Sequence, residues 1–154
     1  MELGALVACP GSHHQSVHGD YRRFVGGEGG YDGPKETAAR QGKLPPRMVV
    51  FTALQDVPTR YHGGTAFLEG THTSRAHSMM YDDDQNGKAI SNDDQRAEIT
   101  KEAGGGCVVA TLGRGDCLIY DASCLHFGGE NKIEDNTRMI MYFGVAQSEA
   151  GETN

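Results

Sequence analysis

The chain has 154 residues, a formal net charge of −7, 37% apolar residues and no Trp. Its Lys and Arg form no basic stripe or polybasic segment, which argues against nucleic-acid backbones and anionic membranes as partners. No run approaches the ~18 apolar residues of a membrane-spanning helix.

The length predicts one domain over residues 1–146, followed by a polar tail at 147–154. The 22 glycines, spread among short apolar runs, suggest strands joined by tight turns. Residues 3–8 (LGALVA) read as a buried strand, ended by Pro10-Gly11. Residues 15–20 form an extended segment. Residues 25–46 are rich in Gly, Lys and Pro and read as a long loop, of the kind that walls a substrate site. Strands are expected at 47–54 (RMVVFTAL) and at 65–69 (TAFLE).

Residues 72–106 are the least regular stretch. Ser91 could cap a helix there, with Lys101 in its last turn and Gly104 to stop it. Residues 107–112 (CVVATL) and 117–121 (CLIYD) read as strands joined by a hairpin turn at Gly113-Arg114-Gly115-Asp116. His126 to Asn131 read as a glycine-rich turn, and 138–146 (RMIMYFGVA) as a strand with one buried face. Many short strands and little helix predict an all-β, double-sheet architecture: a jelly roll, or cupin-like double-stranded β-helix.

Cys9, Cys107, Cys117 and Cys124 form no C-x-x-C pair, so a zinc ribbon or a redox motif is not expected. They read as small buried apolar residues in a reducing, intracellular (cytoplasmic) setting.

The chemistry concentrates in His18-Gly19-Asp20. Side chains two apart on an extended segment share a face. With His126 from a distant segment, the set becomes two imidazoles and one carboxylate. Such a set holds a divalent iron on one side and leaves coordination positions open on the other. Gly19 between the ligands implies crowding on the opposite face. Arg138 supplies a guanidinium that can fork onto the carboxylate of an acidic cosubstrate.

In this order the motifs resemble the phytanoyl-CoA dioxygenase-like branch of the Fe(II)/2-oxoglutarate dioxygenases. The matching pieces are Leu3 to Val7 with Pro10-Gly11; Gln15-x-x-His18-x-Asp20; Phe51 to Asp56; Gly63-Gly64-Thr65 through Gly70-Thr71-His72-Thr73; Gly115-Asp116; and His126-x-Gly128-Gly129-x-Asn131 with Arg138. The resemblance implies that His18, Asp20 and His126 ligate iron. It implies that Arg138 holds the distal carboxylate of 2-oxoglutarate, with Gln15 beside the first ligand or the cosubstrate. It also implies a dioxygenase that uses O₂ to hydroxylate a small organic substrate, releasing succinate and CO₂. Halogenating relatives carry a small residue in place of the carboxylate, so Asp20 favours hydroxylation. Relatives carry a mostly helical portion before the strand matching residues 3–8. Its absence here predicts an exposed sheet edge, self-association through that edge, or a non-catalytic jelly-roll relative that acts by binding.

Other signals carry less. Asp82-x-Asp84-x-Asn86-Gly87 opens like a calcium loop, but its flanks are weak helices. Arg114-Gly115-Asp116 reads as a turn rather than an adhesion motif. His13, His14, His62, His72 and His77 read as surface or supporting residues. Thr71 reads as packing or loop capping. Ser123-Cys124 lacks an oxyanion motif for a Cys–His nucleophile.

Overall fold

The computed structural model describes residues 2–21, 47–73, 76–77, 80, 99–101 and 104–146. The long loop at 25–46, the calcium-like stretch, most of the expected helix and the tail at 147–154 lie outside them. Within the described residues the strands are β1 (Glu2–Ala8), β2 (Arg47–Ala53), β3 (Thr65–Leu68), β4 (Cys107–Val109), β5 (Cys117–Asp121), β6 (His126–Gly128) and β7 (Arg138–Ala146). All their pairings are antiparallel. One sheet runs β1-β7-β2-β5 and the other β4-β3-β6. This is the double-sheet jelly roll expected of short strands and glycine turns.

The period of two decides what each sheet presents. On β2, Val49 and Phe51 point inward, joined by Tyr120 from β5 and Ile140 from β7. Phe67 of β3 packs against this cluster from the smaller sheet, its ring 4.9 Å from that of Tyr120. The opposite face of the smaller sheet presents Leu68, with Phe127 beside it. They pack on Val17, Ala76, Met80, Ile99 and Leu125. β3 and β6 are therefore covered on one side by the larger sheet and on the other by Val17, Ala76, Met80, Ile99 and Leu125, while β4 is largely exposed. Residues 99–101 form a helical turn, closed by Gly104, whose N–H donates to the Lys101 carbonyl (3.2 Å) and whose φ is 71°. Gly104 is thus the expected helix stop.

Three expectations are corrected. Residues 3–8 do not form a buried strand: β1 is an edge, with Leu3 69% and Val7 57% exposed. The period of two is invisible in LGALVA because the outward residues are apolar as well. The register carries this outer face across the sheet, pairing Leu3 with Phe143, Val7 with Met139 and Val50 with Ile119. Secondly, β4 and β5 are not a hairpin. Val57 and Leu112 exchange backbone bonds, and the Gly115 N–H donates to the Ala53 carbonyl (2.8 Å), so the turn carries the chain from one sheet to the other. Thirdly, Cys9, Cys107 and Cys117 are exposed rather than buried. Cys107 and Cys117 stand on the edge strands β4 and β5, which among the described residues are paired with a neighbouring strand on one side only.

Candidate metal centre

His18 does not lie in a continuous strand. It makes a single antiparallel bridge to His126, the first residue of β6. His126 itself opens a short strand rather than a turn. The two backbones exchange hydrogen bonds of 2.9 and 2.8 Å, and the two imidazoles rise on the same side with centroids 4.6 Å apart.

Each ring is held by its own neighbourhood. His18 Nδ1–H donates to the Ser16 carbonyl (2.8 Å), and His126 Nδ1–H donates to the Cys124 carbonyl (2.9 Å). A carbonyl can only accept, so each Nδ1 carries the proton and each Nε2 keeps its lone pair. Both Nε2 atoms then meet Asp20. Oδ1 lies 3.9 Å from His18 Nε2, and Oδ2 lies 3.7 Å from His126 Nε2. One donor atom from each residue falls within 4.8 Å of the others, the spacing of groups that share one ion. Burial pushes the His126 imidazole below its ordinary pKa against the pull of Asp20, which keeps the ring neutral and able to ligate.

Gly19 is crowded, as its position implies. A Cβ there would stand 3.2 Å from His77 Cε1 and 3.3 Å from the Tyr21 carbonyl oxygen. His77 is fully buried and donates Nε2–H to the Ser123 carbonyl at 2.7 Å. It is a core residue under the motif, not a surface one. Gln15 accepts the Gly128 N–H on its Oε1 (2.8 Å) and so ties the segment before His18 to β6. A Cβ on Gly128 would lie 2.7 Å from that oxygen.

A cavity of about 340 Å³ opens beside the triad and runs to Arg138, with Ser12, Thr65 and Tyr120 in its walls. Arg138 opens β7 and is only 4% exposed. Its Nε and Nη1 have no hydrogen-bond partner among the described residues, and neither has the buried Oγ of Ser12. Burial lowers the Arg138 pKa. A buried guanidinium without a counter-charge is costly, and a bound anion is the plainest compensation.

Tyr120, Thr65 and Ser12 were not singled out by sequence reasoning. The signal for Tyr120 was available: in CLIYD, Leu118 and Tyr120 fall on the face opposite Cys117 and Ile119. The remaining candidates have structural work. Buried Thr71 accepts the Leu125 N–H (2.9 Å) and donates to the Leu68 carbonyl, capping the loop. Burial raises the Cys124 thiol pKa, the wrong direction for a nucleophile. His62 bonds Thr59 (2.8 Å), and exposed His13 reaches the cavity wall. The Arg114 N–H donates to Asp56 (2.7 Å).

The profile of the phytanoyl-CoA dioxygenase (PhyH) family matches residues 35–140. The chain belongs to that family. The matched span contains His126 and Arg138; His18 and Asp20 precede it and are joined to it by the geometry above. No curated protein sequence matches the chain. Among solved structures, the fold is similar to the non-heme alpha ketoglutarate dependent carbocyclase SnoK from nogalamycin biosynthesis. There the TM-score is 0.56 at 19% identity, covering 92% of this chain and 47% of that one. It is similar to EvdO2 from Micromonospora carbonacea var. aurantiaca complexed with 2-oxoglutarate, with TM-score 0.55, 18% identity, and 99% and 55% covered. It is also similar to EctD from S. alaskensis with 2-oxoglutarate and 5-hydroxyectoine, with TM-score 0.59, 14% identity, and 91% and 41% covered. The chain spans about half the length of these structures.

Proposed function

We propose that this chain is a non-haem Fe(II)/2-oxoglutarate-dependent dioxygenase acting on a small organic molecule. The observation that carries the reading is Arg138: a buried cation with two unpartnered nitrogens in the same cavity as His18, Asp20 and His126. Membership of the phytanoyl-CoA dioxygenase family and the fold likeness support it.

The donor set fits iron. Two neutral imidazoles and one carboxylate suit Fe(II), and three protein ligands on one side leave room for a bidentate oxoacid and O₂. Held there, iron would activate O₂, with 2-oxoglutarate oxidised to succinate and CO₂ as the substrate is oxidised. The protein's part is positional. Ser16 and Cys124 hold the imidazoles in one tautomer, through bonds of 2.8 and 2.9 Å. Arg138 provides charge-assisted N–H donors for the distal carboxylate, and Ser12 offers a further hydroxyl in the same cavity. Gln15 supports β6 through Gly128 rather than touching the ion. With Asp20 present as a carboxylate, we assign hydroxylation as the outcome. We treat residues 1–146 as one jelly-roll unit.

Anaerobic titration with Fe(II) and 2-oxoglutarate tests the reading. The expected result is the visible charge-transfer band of the iron–oxoacid chelate, lost in the Arg138→Met and His18→Ala variants. A wild-type chain that binds iron without developing that band belongs to the alternative class of non-catalytic jelly-roll relatives.

A further inference from the structure

Asp20 has two oxygens, and how many of them reach the ion decides how many positions stay open. A carboxylate that chelates through both takes two positions. With two imidazoles beside it, too few remain for an oxoacid chelate and O₂. Among the described residues, one side chain bears on that choice. Tyr120 Oη–H donates to Asp20 Oδ2 at 2.7 Å.

The donor is tightly placed. Tyr120 is buried, and its ring packs edge-on against Phe51 at 5.1 Å, Phe67 at 4.9 Å and His126 at 5.0 Å. Those three rings come from β2, β3 and β6, so both sheets fix the phenol. Tyr120 itself stands on β5, in register with Val49. It therefore ties the partly exposed Asp20 bend to the larger sheet, while His126 rises from the smaller one. A hydrogen bond to an ionised oxygen is short and strong, and it draws on that oxygen's charge and makes it the weaker metal donor of the two. Oδ2 lies 3.7 Å from His126 Nε2 and Oδ1 lies 3.9 Å from His18 Nε2, so the Tyr120 hydrogen bond, not the distance, distinguishes the two oxygens.

We infer that Tyr120 is a positioning residue that keeps Asp20 a one-oxygen ligand, by holding Oδ2 and leaving Oδ1 for the ion. This rests on the metal-centre reading above. It adds a role for a residue outside the ligand set.

Tyr120→Phe keeps the ring and its three contacts and removes only the donor. The test uses Mn(II) alone, without cosubstrate, and reads water-proton relaxation per bound ion, which counts exchangeable waters independently of affinity. The wild type is expected to hold about three waters per Mn(II), one for each position left by three single-atom ligands, and Tyr120→Phe about two. Relaxation per bound ion would thus fall by roughly one third as Asp20 swings into chelation. An unchanged value overturns the inference even if the variant binds Mn(II) more weakly, since the hydroxyl then only supports the loop. Failure of the wild type to bind Mn(II) is a separate result, and it overturns the metal-centre reading itself.

Discussion

The His18 N–H donates to the His126 carbonyl at 2.9 Å, and the His126 N–H returns a bond to the His18 carbonyl at 2.8 Å. This exchange sets the separation of the two imidazoles by backbone pairing, before any ion arrives. The two residues nevertheless differ in surroundings. His126 is 3% exposed and stacks on Phe67 at 5.6 Å, whereas His18 is half-buried. Both alanine variants should lose tight divalent-metal binding. In metal-free urea unfolding, His126→Ala should cost about 2–3 kcal/mol, through the cavity it leaves. His18→Ala should cost under about 1 kcal/mol. Equal losses would show that the buried ring contributes nothing through packing.

Arg138 makes an opposite prediction for stability and for function. Its unpartnered Nε and Nη1 are a liability in the ligand-free protein. Arg138→Met should raise ligand-free stability by about 1 kcal/mol or more, and should abolish the upward shift in melting temperature that 2-oxoglutarate produces with the metal bound. A variant that is less stable and still shifted by 2-oxoglutarate would remove Arg138 as the anion anchor.

The glycines near the centre should rank by what a methyl group would meet. At Gly19 the nearest atoms are His77 Cε1 at 3.2 Å and the Tyr21 carbonyl oxygen at 3.3 Å, a crowding relieved by a small shift; Gly19→Ala should cost about 1 kcal/mol. At Gly129 a Cβ would lie 2.6 Å from the Gly64 carbonyl oxygen, which cannot yield without moving β3; Gly129→Ala should cost about 3 kcal/mol or more. Chemical denaturation of the two variants checks the order, and a reversed order contradicts the packing described here.

The thiols offer a check that needs no metal. Cys9, Cys107 and Cys117 are exposed, while Cys124 is partly buried and its pKa is raised by that burial. With an aromatic disulfide reagent at neutral pH, the first three should react promptly. Cys124 should lag, and react only as the protein opens. Rapid reaction of all four would place Cys124 at the surface.

Much of the centre was legible from residue types. His18, Asp20, His126 and Arg138 carry functional groups whose chemistry is the same wherever they stand, and Gly19 announced its crowding. The strand period puts Tyr120 on the inward face, where a tyrosine reads as core, and only its partner Asp20 shows that its hydroxyl has a task. Cys107 and Cys117 were misjudged because an apolar strand does not say whether it lies at a sheet edge. The supposed hairpin at Gly115 failed for a similar reason. A glycine turn between two strands fits either a return to the same sheet or a step to the other.

By itself the sequence determined the side-chain types of the candidate donors, most of the strand segments and the double-sheet class, because these follow from residue type and from the two-residue period of an extended chain. Only the tertiary structure decided which strands pair, which apolar face stays exposed, and that Arg138 is buried in the cavity of the triad with two nitrogens that find no hydrogen-bond partner among the described residues. Those facts depend on contacts between residues distant in the chain. They are set by the register of backbone hydrogen bonds, which no local pattern records.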